Sequence, residues 1–369
     1  MKKFKVNSKL KVLHVSTALS WRGGEQQLAY LVDELKDEVS SFVLCSRGSE
    51  MEKFCIKNGF DYYSCKKNSS LDIGFALNLK RLCKKLEIDL CHLHDAHAHT
   101  FAILAAAIFK NKTPLILSRR VDFPIKNNWF SHYKYNHKAI TKILCVSDTI
   151  KKITAPGIRD KGKLSTVYSG IDLDKFKTRT NKLRKEYQIE VDTILIGNTS
   201  AIADHKDYFT FVDVAEKLSK QKNNIQFLII GDGPMRDQIE NYVNSKGLKE
   251  QIRFTGFRND IPEVIADLDI FLITSKTEGL GTSILDAFAA KVPVVGTAAG
   301  GIPELIKNNV SGKLCSVKDV DCLAESILEL CNNPEKRIEL VKNANIKVQS
   351  FSKSATAQNT LKHYQAVFT

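Results

Sequence analysis

Two carboxylates bracket the centre of the segment ITSKTEGLGTSILDAFAA at residues 273–290: Glu278, and Asp286 eight positions on. Between them stand Gly279, Leu280, Gly281, Thr282 and Ser283, where an apolar strand over 268–273 gives way to an expected helix over 284–290. Glycines let a backbone approach a ligand closely, and the free N–H groups and dipole of a helix start attract an anion. Carboxylates accept hydrogen bonds from sugar hydroxyls. The spacing therefore offers an anion pocket flanked by groups that can hold a polyol. A plainer reading uses the same residues: Ser283 and Asp286 loosely fit a capping box, and the glycines serve a tight turn.

Further groups point the same way. Lys206 ends a loop ahead of a helix that starts near Tyr208, where a cation would neutralise a diphosphate leaving group. Gly23 and Gly24 stand at the entrance of a helix over 25–35, where backbone N–H groups can meet a phosphate. That loop is neither Gly-x-Gly-x-x-Gly nor a Gly-Lys-Ser/Thr loop, so dinucleotide and P-loop readings fall.

The flanking segments KVPVVGTAAGGIPELI, IRFTGFRNDIP and LIIGDGPMRDQIE, taken with 278–290, resemble the retaining nucleotide-sugar glycosyltransferases of family 4, the group 1 set, of the bacterial cell-surface polysaccharide and lipopolysaccharide type. That family has the GT-B fold, an α/β architecture of two Rossmann-like domains facing across a cleft. Its hallmark is a glutamate, seven residues and a second glutamate; here the second acid is Asp286, shorter by one methylene. The resemblance implies a UDP- or GDP-sugar as donor, with Glu278 holding the sugar and nearby phosphate and Asp286 the ribose. It implies that Lys206 stabilises the departing diphosphate, that Gly23 and Gly24 face it, and that the nucleotide base is read at Gly256-Phe257-Arg258, where Phe257 can stack and Arg258 can face a base or a phosphate. No metal and no cofactor are implied, the nucleotide sugar being a substrate. An arginine that usually precedes the lysine is missing, since the chain reads Ser200-Ala201-Ile202 there. Arg22 is a candidate replacement.

These groups need a scaffold. At 369 residues, 43% hydrophobic and 26% charged, the chain suits two globular domains. Strand and helix patterns alternate, which argues parallel sheets with crossover helices and ligands outside the carboxyl ends of the strands. The expected division is 1–170, with a C-terminal helix over 351–369 crossing back onto it, and 171–350, with a hinge near 169–178. The first part would be the acceptor side and the second the nucleotide-sugar side.

Two strand ends in the first part carry polar clusters. In HLHDAHAH, residues 92–99, the histidines lack a clean ligand spacing for a metal; His94 or His97 is expected to line the acceptor site, as the family's histidine loop does. In SRRVDFP, residues 118–124, Arg119 or Arg120 can hold an anionic acceptor by bidentate pairing, with Asp122 orienting it. Downstream, Trp129, Phe130, Tyr133 and Tyr135 alternate with Lys126, Lys134, Lys138 and Lys142. Such a mixture suits a membrane interface or a sugar-lipid headgroup, or else an amphipathic surface helix packed by its aromatics.

The net charge of +14 is uneven: 29 Lys and Arg against 15 Asp and Glu lie through Ser165, and the remainder balances at 26 of each. An anionic partner for the first half follows, a membrane surface met by peripheral contact, a phosphorylated acceptor or nucleic acid, or else a solvated lysine-rich surface. Nucleic acid is not expected, because the aromatic and basic residues fit no single-strand-binding or helix-turn-helix pattern. No N-terminal run resembles a signal peptide and no stretch is long enough to span a bilayer, so the expected location is the cytoplasm, at the inner face of the cytoplasmic membrane where the acceptor requires it. Nine cysteines without a Cys-x-x-Cys pair are expected to be reduced thiols. The functional expectation is sugar transfer to a saccharide or glycolipid. The alternatives are a cytosolic transferase on a small acceptor, a nucleotide-sugar epimerase of the same fold and, from another class, a nucleic-acid-binding protein.

Overall fold

The computed structural model describes residues 9–176, 180–222 and 224–369, so residues 177–178 of the expected hinge and the lysines before residue 9 lie outside the described residues. The chain divides into two compact units, Met1–Gly170 with Lys353–Thr369, and Ile171–Ser352.

The first unit alternates β1 (Leu10–Ser16), α1 (Gly23–Glu34), β2 (Val39–Ser46), α2 (Glu50–Asn58), β3 (Tyr62–Cys65), α3 (Ile73–Lys85), β4 (Leu90–Leu93) and α4 (Ala96–Ala107). It continues through β5 (Leu115–Arg119), α5 (Trp129–Asn136), β6 (Ile140–Cys145), α6 (Asp148–Thr154) and β7 (Leu164–Thr166). Its strands form one seven-stranded sheet in the order β3-β2-β1-β4-β5-β6-β7, every pairing parallel. Successive β1 residues feed opposite faces, as a period of two requires: Val12 joins the layer with Ile116, Leu144 and Tyr364, and Leu13 and Val15 join the layer with Leu93 and Phe101.

The second unit holds α7 (Lys182–Tyr187), β8 (Ile194–Thr199), α8 (Tyr208–Ser219), β9 (Ile225–Ile230), α9 (Arg236–Ser245), β10 (Ile252–Gly256) and α10 (Ile261–Ala266). After these come β11 (Ile270–Ile273), α11 (Thr282–Ala289), β12 (Val294–Thr297), α12 (Ile302–Leu305), β13 (Lys313–Cys315), α13 (Val320–Asn332) and α14 (Pro334–Val348). Its six strands run β10-β9-β8-β11-β12-β13, again all parallel. The last helix, α15 (Lys353–Gln365), belongs to the first unit, where it packs along α1 and buries Tyr364 completely.

Helix α11 opens at Thr282, as expected of Thr282 and Ser283, because Gly281 at φ +89° turns the chain directly into it. Two local expectations are corrected. The strand expected over 292–295 is Val294–Thr297, since Pro293 has no N–H to give a ladder. Cys315 and Cys322 form a disulfide, contrary to the expectation of free thiols. The end of β13 and the first turn of α13 bring their Cα atoms to 5.8 Å, a juxtaposition no short motif signals. The other seven cysteines are free and mostly buried.

Candidate donor and acceptor sites

In the second unit the loops after β8, β11 and β12 converge at the carboxyl edge of the sheet. Glu278, only 7% exposed, sits on the loop after β11. Lys206, from the turn after β8, forms an ion pair with its Oε1, and the buried Ser275 hydroxyl donates to the same oxygen at 2.8 Å. Oε2 has no hydrogen-bond partner among the described residues. The carboxylate is pinned through one oxygen and presents the other. Ser275 is held in turn, since Thr297 Oγ1 at the end of β12 donates to its carbonyl at 2.7 Å. Thr274 Oγ1 donates to the Asp207 carbonyl at 3.0 Å, and the Lys276 N–H to the His205 carbonyl at 2.8 Å, so the loops after β8 and β11 form one body.

The glycines set the loop spacing. A Cβ on Gly300 would overlap the Glu278 carbonyl oxygen, and one on Gly301 would stand 2.5 Å from that of Gly279. The Gly301 N–H donates to the Glu278 carbonyl at 2.9 Å. The same device recurs one strand away, where a Cβ on Gly233 would lie 2.6 Å from the Ile202 nitrogen. Ser200 is tied to Tyr208 by a 2.8 Å hydroxyl contact and Ala201 is exposed, and among the described residues of the second unit no arginine is bonded to either. Arg22 belongs to the first unit.

Leu280 is buried, and Thr282 and Ser283 lie half-buried in the first turn of α11, whose start carries no side-chain cap. The Ile284 N–H donates to the Gly281 carbonyl at 2.9 Å, while those of Thr282 and Ser283 have no partner among the described residues. Asp286 follows one turn on, half-buried and with no hydrogen bond or ion pair to its carboxylate among the described residues. Desolvation raises its pKa to about 7, opposed by Lys175. Phe257 is 76% exposed. Arg258 is committed elsewhere: it forks onto both Asp260 oxygens at 2.8 Å and reaches Glu186 at 2.7 Å, contacts that push its pKa further up.

In the first unit, Gly23 and Gly24 open α1, and nothing lies within 4 Å of a Cβ built on either, so packing within the unit does not require glycine there. The carboxyl ends of β4 and β5 bring His94 and Arg120 together. Arg120 donates to the His94 carbonyl at 3.1 Å and reaches His94 Nδ1 at 3.4 Å. A guanidinium only donates, so His94 carries its proton on Nε2 and donates to His14 Nδ1 at 3.2 Å. His92 bridges Tyr364 of α15 at 2.5 Å and Ser118 at 2.8 Å. Burial drives all three histidines neutral, His14 to a pKa of about 3, and lowers Arg120 to about 10. His14, His92 and His94 are close enough to ligate a metal ion. The adjoining guanidinium and the filled valences of His92 instead describe a neutral hydrogen-bonded cluster.

Arg119 and Arg120 part company because successive strand residues face opposite sides. Arg119 turns into the core, bonding Tyr135 Oη at 2.6 Å, Thr154 at 3.3 Å and the Phe123 carbonyl. Asp122 is half-buried on the following loop. His97 is half-buried in the first turn of α4, 3.4 Å from Lys67 Nζ. Asp95 caps that helix, accepting from the His97 and Ala98 N–H groups at 2.9 Å and from the Thr17 hydroxyl at 2.8 Å. Sequence reasoning passed over Asp95, Ser275 and His14. An aspartate just before a helical run signalled the first; Ser275 bonds Glu278 three residues on without any motif that marks it, and His14 has no local signature because its partner comes from another strand.

Two parallel-sheet units with a pinned carboxylate, a lysine and an open helix start in one of them define a sugar-transferring enzyme of the GT-B class. The sequence profile described as glycosyl transferases group 1 matches residues 179–347, and that described as Glycosyltransferase Family 4 matches residues 21–175. The chain belongs to this glycosyltransferase family. It is 27% identical over 285 residues to the N-acetyl-alpha-D-glucosaminyl L-malate synthase of Bacillus anthracis, covering 74% of this chain and 73% of that one. It is 23% identical over 352 residues to an Escherichia coli UDP-Gal:alpha-D-GlcNAc-diphosphoundecaprenol alpha-1,3-galactosyltransferase, covering 89% of each. Among solved structures, Anabaena Alr3699/HepE in complex with UDP-glucose superposes with a TM-score of 0.85 at 19% identity, covering 97% of this chain and all of that one. A glycosyltransferase from Rickettsia africae gives 0.86 at 20% identity, covering 98% and 99%.

Proposed function

We propose that the protein transfers a glycosyl group from a UDP- or GDP-sugar, with retention at the anomeric carbon, to a saccharide or lipid-linked acceptor in the synthesis of a cell-surface polysaccharide or lipopolysaccharide. The observation that carries the proposal is the Glu278 carboxylate, fixed through Oε1 by Lys206 and Ser275 with Oε2 presented beside the uncapped start of α11. Oε2 accepts from a donor-sugar hydroxyl. The α11 N–H groups and Lys206 stabilise the charge that develops as the bond from C1 to the phosphate oxygen breaks. The acceptor oxygen bonds to C1 from the same face, and its proton passes to the departing phosphate oxygen, so no separate protein base is needed. Asp286 accepts from the ribose. No metal or cofactor enters this scheme. The named relatives support a glycolipid acceptor through the diphosphoundecaprenol enzyme, while the L-malate enzyme supports a second reading with a small soluble acceptor.

Thermal stabilisation by UDP-, GDP- and ADP-sugars and the free diphosphates tests the donor. A ligand at about a hundred times its Kd adds roughly 2.7 kcal/mol. One nucleotide series is expected to stabilise the wild type, with Glu278→Ala losing the preference for the sugar form. Absence of stabilisation by every member of the panel, or product of inverted anomeric configuration by NMR, overturns the proposal.

A further inference from the structure

We infer that the loop and helix after β5, residues 120–138, form the surface through which the first unit seats on an anionic lipid bilayer. The inference rests on the reading of a lipid-linked acceptor and adds where that lipid meets the protein. Five aromatic residues are exposed among the described residues, and four lie here: Phe123 at 52%, Trp129 at 77%, Phe130 at 37% and Tyr133 at 38%. The sequence admits a helix packed by its own aromatics, but only Tyr135 turns inward, onto Arg119. Trp129 and Tyr133, one turn apart, stack on each other at 5.3 Å in solvent. Arg119 lies 5.3 Å from the Phe123 ring and Lys134 6.0 Å from that of Phe130, yet all four rings keep more than a third of their surface in water, and a contiguous exposed aromatic patch marks an interaction face.

Charge selects the partner. From Arg119 to Lys142 six Lys and Arg stand against one acid, Asp122. Lys126 and Lys138 are exposed and make no ion pair among the described residues, whereas Lys134 turns inward to Thr100 Oγ1 at 3.1 Å. The patch is continued by a second basic stretch, because Asn136 holds the Gly157 carbonyl at 2.9 Å and the Arg159 N–H at 2.7 Å. From Lys151 to Lys163 that stretch carries five cations and one acid, Asp160. Trp and Tyr rings favour the headgroup level, Phe the acyl boundary, and lysines the anionic phosphates. Helix α5 has eight residues, too short to cross a bilayer, so it lies in the interface. The patch follows directly from the strand end that carries Arg120 beside His94, which brings a lipid-linked saccharide to that polar cluster with its lipid still in the membrane.

The test is partition of the full chain onto phosphatidylcholine vesicles with and without phosphatidylglycerol, at low and high salt, followed by co-sedimentation and by tryptophan emission. Trp21 is partly covered by Phe54, so a blue shift reports Trp129. Binding is expected only to the anionic vesicles, with a blue shift, weakened about tenfold or more by Trp129→Ala with Phe130→Ala, and likewise by Lys126→Glu with Lys138→Glu. Both double variants alter exposed side chains and should keep the melting temperature and its response to nucleotide sugars. Failure of the wild type to bind anionic vesicles at low salt, undiminished binding by both variants, or binding of random oligonucleotides in place of vesicles overturns the inference. Vesicle binding without any response to nucleotide sugars sinks the donor reading and leaves the surface standing.

Discussion

Gly300 and Glu278 meet backbone to backbone: the Glu278 nitrogen lies 2.7 Å from where a Gly300 Cβ would be, and its carbonyl oxygen closer still. With φ at +52°, Gly300 also holds a conformation that L side chains rarely adopt. Gly300→Ala must displace the loop that carries the carboxylate. The expected result is a loss of about 1–3 kcal/mol of stability together with most of the activity. Gly23→Ala is the contrast, since its Cβ meets nothing within 4 Å. Its melting temperature should stay unchanged, and any rise in donor KM then reports a ligand at that backbone. A Gly300→Ala protein with wild-type kinetics would show that this close approach does not position Glu278.

Ser275 and Lys206 hold the same Glu278 oxygen and should separate kinetically. Ser275→Ala removes an orienting bond worth about 1 kcal/mol, so kcat should fall several-fold with little change in donor KM, and Ser275→Thr should restore part of it. Lys206→Ala leaves a nearly buried carboxylate without its cation. Stability should fall towards the low end of about 3–5 kcal/mol, and kcat and kcat/KM should fall together if the lysine also meets the leaving phosphate. Steady-state kinetics beside urea melts read both.

The bond between Cys315 and Cys322 closes a short loop between β13 and α13, and α13 packs on α8 and β12. By chain entropy a loop this short contributes about 2 kcal/mol. A reductant should therefore lower the melting temperature by several degrees, and Cys322→Ser should melt at the same temperature with or without it. Equal melting of the wild type in both conditions would mean that the bond contributes nothing.

What was legible in the sequence follows the range of the interaction concerned. Strand and helix alternation is local, so the two parallel sheets could be anticipated from runs such as 10–16 and 270–273. Glu278, Gly281 and Asp286 share one strand-to-helix turn and announce themselves by spacing. Ser275 lies only three positions before the Glu278 it holds, but no motif marks that bond and its own anchor, Thr297, is on the next strand, while His14 gains its meaning from His94, eighty positions away. The two arginines of SRRVDFP look equivalent in sequence, and strand alternation sends one into the core. The disulfide escaped for the same reason, its cysteines being joined by the geometry of β13 and α13 and by no motif.

The buried histidine cluster and Asp286 make stability depend on pH in opposite directions. His14 has a folded pKa of about 3 against an ordinary value of 6.5, and His92 and His94 are lowered for the same reason, desolvation. The unfolded chain therefore binds protons first: the stability of the neutral cluster is fully present above pH 6.5 and is lost as the pH falls from there towards 3. Asp286 is raised from 3.8 to about 7, so its contribution is fully present below 3.8 and is lost as the pH rises through 7. Between pH 4 and 6.5 three histidines oppose one aspartate, and urea midpoints should fall with acid. His14→Gln should flatten that fall without moving the midpoint above pH 7. Asp286→Asn should leave stability at pH 4 unchanged and add on the order of 1 kcal/mol at pH 8, where the wild type must keep a desolvated charge. Because Asp286 is proposed to hold the ribose, the same variant should bind the donor more weakly while folding more firmly. A variant that loses stability at pH 8 would show that the carboxylate has a folding partner and is not held open for a ligand.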